Sequence, residues 1–168
     1  MRVYIPATFS TLCGLNEARV VTARSGWAFA VTPALREFYT EGDEEEIVHA
    51  AFQDAAEASL RLLAVGDQER FPHRRVVISA DVPEDHVSLS PDNGESVVRL
   101  EPAQVNLVDV AAIHVDVPES EEATARAIAA IDAADMGDED AELTVGDALD
   151  NFLAWYDPSE LPVLVELL

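Results

Sequence analysis

Lysine is absent from this 168-residue chain, and cysteine occurs once, as Cys13. Without lysine there is no P-loop, no Schiff base and no lysine general base. A single cysteine makes no internal disulfide and no cysteine-ligated zinc site. Positive charge is scarce: ten arginines face 33 acidic residues, for a net charge of −23. A field of that sign repels nucleic-acid phosphate and anionic lipid. No apolar run reaches transmembrane length. The opening MRVYIPATFS lacks the apolar stretch of a signal peptide. No nucleic-acid partner and no membrane are therefore expected, and a cytoplasmic setting is. No cofactor is expected either.

The length predicts one globular domain over residues 1–168, with enough chain for a real core. The stretch that organises it is 43–64, DEEEIVHAAFQDAAEASLRLLA. On a 3.6-residue period, Ile47, Val48, Ala51, Phe52, Ala55, Ala58, Leu62 and Leu63 form one wide stripe. Asp43 is placed as an N-cap, with Glu46 three residues on, the spacing of a capping box. The acidic start suits the positive end of the helix dipole. Glu57 and Arg61 add an i,i+4 pair in the favourable order.

Short alternating runs surround this helix. Strands are expected at 2–6, 26–31, 75–82, 97–100 and 111–117. In RVVISADV, Val76, Ile78, Ala80 and Val82 share one face, and Val77, Ser79 and Asp81 the other. In AAIHVDV, Ile113, Val115 and Val117 oppose Ala112, His114 and Asp116. Helices are expected at 8–18, at 120–134, and after Thr32, with Pro33 at the first helical position. Residues 135–142 (DMGDEDAE) read as an acidic loop. Residues 147–156 fit either a helix or a strand. Pro162 limits any helix that starts at 157–160. Strands interleaved with helices predict an α/β or α+β fold, a mixed β-sheet covered by helices.

The segments MRVYIP (1–6), AVTPALR (30–36), GDEEE (42–46), ASLRLLA (58–64), RVVISADVP (75–83), DVAAIHVD (109–116) and GDEDA (137–141) span most of the chain. In them the chain resembles a family of small acidic actinobacterial proteins catalogued as a domain of unknown function. The resemblance implies an actinobacterial, cytoplasmic protein. It implies no activity, cofactor or catalytic residue.

Chemistry-bearing residues gather in a few places. His114 and Asp116 share a strand face. If the strand at 75–82 is adjacent, Ser79 and Asp81 join them. That set suits acid–base or nucleophilic chemistry, or a metal site, and equally suits hydrogen-bonded polar groups at strand ends. Glu46 and His49 have the Glu-x-x-His spacing of di-iron bundles, but the chain has one copy and no matching ligands. Asp138 and Asp140 lie in the acidic run as candidate ligands for a hard cation, although the spacing is not that of an EF-hand. Arg70, His73, Arg74 and Arg75 form the one basic cluster, suited to an anion or to an acidic segment of the same chain. Arg36, Tyr39 and Trp155 are candidates for lining a binding groove.

No nucleophile motif, phosphate loop or metal cluster is present. The expected function is therefore a non-enzymatic acidic interaction or regulatory module, with a basic protein surface as its partner. A small hydrolase built on the His114/Asp116 face is the alternative, and mimicry of nucleic acid a second. Homo-oligomerisation stays open.

Overall fold

The computed structural model describes residues 1–66 and 71–167. The chain begins with β1 (Arg2–Ala7), α1 (Phe9–Ala18), β2 (Val20–Thr22) and β3 (Trp27–Phe29). It continues with α2 (Pro33–Phe38), the long α3 (Glu44–Val65), β4 (Val76–Asp81) and β5 (Val87–Leu89). Next come β6 (Val97–Leu100), β7 (Gln104–Asn106) and β8 (Val110–Asp116). Helices α4 (Glu121–Asp135) and α5 (Glu139–Leu149), strand β9 (Leu153–Tyr156) and helix α6 (Leu161–Glu166) complete it.

Seven strands form one sheet in the order β5-β6-β3-β1-β4-β8-β9, and β2 and β7 pair separately. The fold is the α+β form of the expected helix-covered sheet. Its strand pairings are antiparallel, and helices still carry the long connections: α2 and α3 link β3 to β4 past β1, and α4 and α5 link β8 to β9.

The alternation read from the sequence assigns the two faces. Val76, Ile78 and Ala80 of β4 and Ile113 and Val115 of β8 point to one core, filled by Phe9, Leu12 and Leu15 of α1 and Leu161 and Leu164 of α6. Tyr4 and Val77 point to the other face, against Ile47, Ala51 and Ala55 of α3. The alanines bring the helix backbone close to the strands. Asp43 caps α3, its carboxylate accepting from the Glu46 amide at 2.9 Å. Thr32 caps α2 by accepting from the Leu35 amide at 3.1 Å, with Pro33 at N1.

The buried face of α3 differs from the expected stripe beyond Ala55. Ala56, Ser59, Leu60 and Leu63 are buried there, whereas Ala58 and Leu62 are half-buried. Two contacts cause the turn of the face. Ser59 Oγ donates to the Ala7 carbonyl at 2.7 Å and accepts from the Val76 amide at 2.9 Å. Leu60 enters a third cluster with Ala127 and Ile131 of α4 and Val145 and Ala148 of α5. A polar residue thus sits inside with both bonding capacities used, and the helix is covered on two sides.

Residues 135–142 are not a loop throughout. Asp138 is the N-cap of α5, accepting from the Ala141 amide at 2.9 Å, and Glu139, Asp140 and Glu142 occupy its first turn. Their charge is favourable there because it faces the positive helix end. Residues 147–156 contain both alternatives: α5 runs to Leu149 and β9 begins at Leu153. Pro162 lies in the first turn of α6, where its missing N–H is not needed. Among the described residues, no helix is long and apolar enough to cross a membrane.

Candidate functional site

Register places the site. β4 lies beside β8, with Ser79 opposite Ala112 and Val77 opposite His114. β8 lies beside β9, with His114 opposite Trp155. β1 completes the row, with Tyr4 opposite Ser79. Directly paired residues share a face, so Tyr4, Ser79, Ala112, His114 and Trp155 all present on the α3 side. Tyr4, Ser79, Ala112 and His114 floor an open groove of about 680 Å³, and Trp155 stands at its rim. One wall is the N-terminal half of α3, through Glu45, Val48, Phe52 and Gln53; the other is Asp150 to Leu153 and Trp155.

Ser79 and His114 are brought together as the sheet pattern allows. They are diagonal neighbours, and Ser79 Oγ lies 2.8 Å from His114 Nε2. The Phe52 ring stands edge-on to the imidazole, with centroids 4.8 Å apart, and meets Tyr4 at 5.8 Å. Burial, and secondarily the nearby Arg2 cation, lower the His114 pKa from 6.5 to about 4. The imidazole is therefore neutral at pH 7, and a hydrogen is shared between it and the serine hydroxyl. Ser79 is the hydrogen-bond partner of His114 among the described residues, so no carboxylate orients the second ring nitrogen. The pair can hold and pass a proton, but it lacks the third group that fixes the imidazole in a Ser-His-acid triad.

Asp116 and Asp81 do not complete that constellation. Asp116 is buried in an ion pair with Arg75, whose side chain is 0% exposed. Arg75 Nε and Nη2 donate to its two oxygens at 2.9 and 2.8 Å, and the Arg75 amide donates at 2.8 Å. The same Nη2 also donates to the Asn151 carbonyl at 2.8 Å. Asp81 is held by Arg2 in a two-point contact at 2.7 and 3.1 Å. Arg2 lies at the end of the groove, and its bond to Asp81 draws that carboxyl below the usual range.

The other expected positions scatter. Arg36 is exposed and forms a two-point pair with Glu44 at 2.6 and 2.9 Å. Tyr39 is exposed and stacks its edge on Phe38; neither Arg36 nor Tyr39 lines the groove. His49 does line it, and its Nε2 lies 3.1 Å from Gln53 Nε2, one helical turn on. Asp138 serves as a helix cap and Asp140 is exposed. Among the described residues, no three His, Cys, Asp or Glu side chains converge as metal ligands. Of the basic cluster, Arg70 lies outside the described residues. Arg74 pairs with Glu121 at 2.6 Å and lies over the Phe9 ring. Arg74 and Arg75 thus engage acidic residues of their own chain.

Sequence reasoning missed Phe152 as a site residue. It is 69% exposed beside Trp155, at 60%. A large aromatic bounding an ambiguous segment was the available signal. Phe52, expected as core, is half-buried and lines the groove.

The histidine yields a pH prediction. As pH falls through about 6.5, the unfolded chain protonates residue 114; the folded chain does not until about 4. Folding stability conferred by the neutral imidazole is therefore lost as pH drops across that window and changes no further below it. We expect wild type to lose on the order of 1–2 kcal/mol relative to His114→Gln between pH 7 and pH 4, a discounted figure because the ring is partly solvated. Urea unfolding of both proteins at several pH values reads it, and the other titrating groups cancel in the difference. Parallel pH curves would show the imidazole to be freely hydrated.

Residues 1–165 match the model of a family described as a family of unknown function, DUF6912. No curated protein and no solved structure matches the chain.

Proposed function

The chain belongs to this family of unknown function, and from its groove we propose that it is a protein-interaction module that takes a cationic protein segment bearing apolar anchors. The observation that carries this reading is the pair Phe152 and Trp155, two large aromatics mostly exposed at the lip of a preformed groove. Exposed aromatic area beside a cavity is costly in water and is what partner sites offer. The rim supports a cationic partner. Glu45 and Asp150 line it without an ion pair among the described residues, and the chain's net charge of −23 would speed encounter with a basic segment. An enzymatic reading has less support, because the two carboxylates nearest His114 on the sheet are bound to Arg75 and Arg2. A cytoplasmic location belongs to the same proposal. A chain whose fold uses no disulfide is compatible with a reducing compartment, and cell fractionation that recovered the chain elsewhere would count against it.

The test is a selection of displayed random peptides on the wild-type protein, with counter-selection on Phe152→Ala/Trp155→Ala. Both residues are exposed, so the fold should survive the change. The expected result is enrichment of sequences that combine Leu, Phe or Trp with Arg or Lys and fail to bind the double variant. Enrichment indifferent to the two substitutions would place recognition elsewhere on the surface and defeat the proposal.

A further inference from the structure

The layering of the fold specifies what shape of segment the groove accepts. Helices α4 and α5 pack on the C-terminal half of α3 around Leu60. Helix α2 packs on the N-terminal half of α3 through Leu35, but toward β8 and β9 no helix other than α3 lines the same face of the sheet among the described residues, and that position is the groove. Its lining spans β1, β4, β8 and β9. Four strands about 4.8 Å apart put the outer two about 14 Å from each other, room for one helix beside α3. A helix with its side chains is about 10–12 Å across. Along α3 the lining runs from Glu44 to Gln53, a rise of roughly 14 Å, or between two and three turns.

The side chains have the matching character. Val48 and Phe52 offer apolar surface from α3, and Phe152, Leu153 and Trp155 from the opposite wall. Trp155 shares its face with His114, so the aromatic surface is offered on the face of the sheet. A helix packs on a sheet face, whereas an added strand would use the hydrogen-bonding edge of β9. Charge selects the flanks. Glu45 and Asp150 stand on opposite walls and among the described residues neither has an ion partner, while Arg2, which also lines the groove, is bound to Asp81. A second copy of this chain is disfavoured because two bodies of charge −23 repel.

We propose that the groove binds an amphipathic α-helix of a partner protein, apolar on the face laid into the groove and cationic on its two flanks, beside the N-terminal half of α3. The helix would add a further member to the layer that α2, α3, α4 and α5 form. This rests on the interaction reading above and adds the conformation and charge pattern of the partner.

The test uses three labelled peptides of about 15 residues, a length at which an isolated helix is marginal in water. One places leucines at helical spacing with arginines on the flanks. The second has the same composition in strict alternation. The third keeps helical spacing but replaces arginine with glutamate. Fluorescence anisotropy gives affinity, and far-UV circular dichroism gives induced helicity. We expect the first peptide to bind at least tenfold more tightly than either other and to gain helicity on binding. Phe152→Ala/Trp155→Ala should weaken it tenfold or more. Glu45→Gln/Asp150→Asn should weaken it severalfold, while Glu84→Gln/Asp85→Asn, beside strand β5 at the far edge of the sheet, should not. Equal binding of the alternating peptide, with dependence on Phe152 and Trp155 retained, would overturn the helix and leave the interaction reading intact. Equal loss in the two charge-neutralised variants would reduce the attraction to general electrostatics and overturn the flank pattern. Binding that ignores Phe152 and Trp155, or no binding by any peptide, would overturn the helix proposal; with a failed display selection, it would remove the groove as a protein site.

Discussion

Asp116→Ala is expected to destabilise the protein by about 3–5 kcal/mol, the usual cost of removing one member of a buried ion pair. Arg75 is the largest fully buried side chain among the described residues. Its charge is compensated by Asp116, and one of its nitrogens also serves the Asn151 carbonyl. Its Nη1 is buried without a hydrogen-bond partner, so the site already carries a desolvation cost. Removing the carboxylate leaves the guanidinium and the Arg75 amide unpaired in a dry interior. In a domain of this length the loss corresponds to roughly 6–20 °C in Tm. Urea unfolding with an unchanged m-value would read it as a stability change alone. The double substitution Arg75→Met/Asp116→Leu removes both charges and should recover most of the loss, since an apolar pair of similar volume is often neutral or better. A cost below about 1 kcal/mol for Asp116→Ala would mean that water reaches the pair.

This ion pair also explains why the site came out as it did. Arg75 ties the end of β8 to the turn after α5, and Phe152 follows Asn151 directly. The residue that holds one groove wall is therefore part of a basic cluster that reads, in sequence, as a charged strand entry. The His114 face was legible because strand alternation fixes which side chains point together. Adjacency of β4 and β8, and with it the Ser79–His114 contact, was legible as a condition only. What alternation does not reveal is which acid each base takes. Asp116 and Asp81 had the right positions for His114, but each sits closer to an arginine, and a bidentate guanidinium contact outcompetes a neutral imidazole.

The same distinction runs through the fold. Strands β1, β4, β6 and β8 carry four or more residues and were readable, as was β3 within the apolar run 26–31, whereas β9 stayed between helix and strand. The three-residue strands β2, β5 and β7 are too short to show a period. The start of α5 was hidden because its acidic first turn has the composition of a solvated loop. Asp138 acts there as a cap, a role that depends on one backbone geometry and not on composition.

The α3 helix gives the sharpest test of where periodicity stops informing. The expected stripe includes Leu62 and omits Leu60, while the fold buries Leu60 completely and leaves Leu62 half-buried. Leu60→Ala should therefore cost about 2–5 kcal/mol, the range for a buried leucine whose site collapses only partly. Leu62→Ala should cost less than half as much. The difference arises because Leu60 meets Ala127, Ile131, Val145 and Ala148. Those are small or rigid groups on two helices that must move together to fill the cavity. Ser59 supports the same orientation, since its hydroxyl is spent between β1 and β4 and cannot turn outward without exposing two unpaired backbone groups. Chemical unfolding of the two alanine variants decides the matter. Equal costs, or a larger one at Leu62, would return the face to the simple helical stripe and would detach α4 and α5 from the side of α3 to which they are assigned.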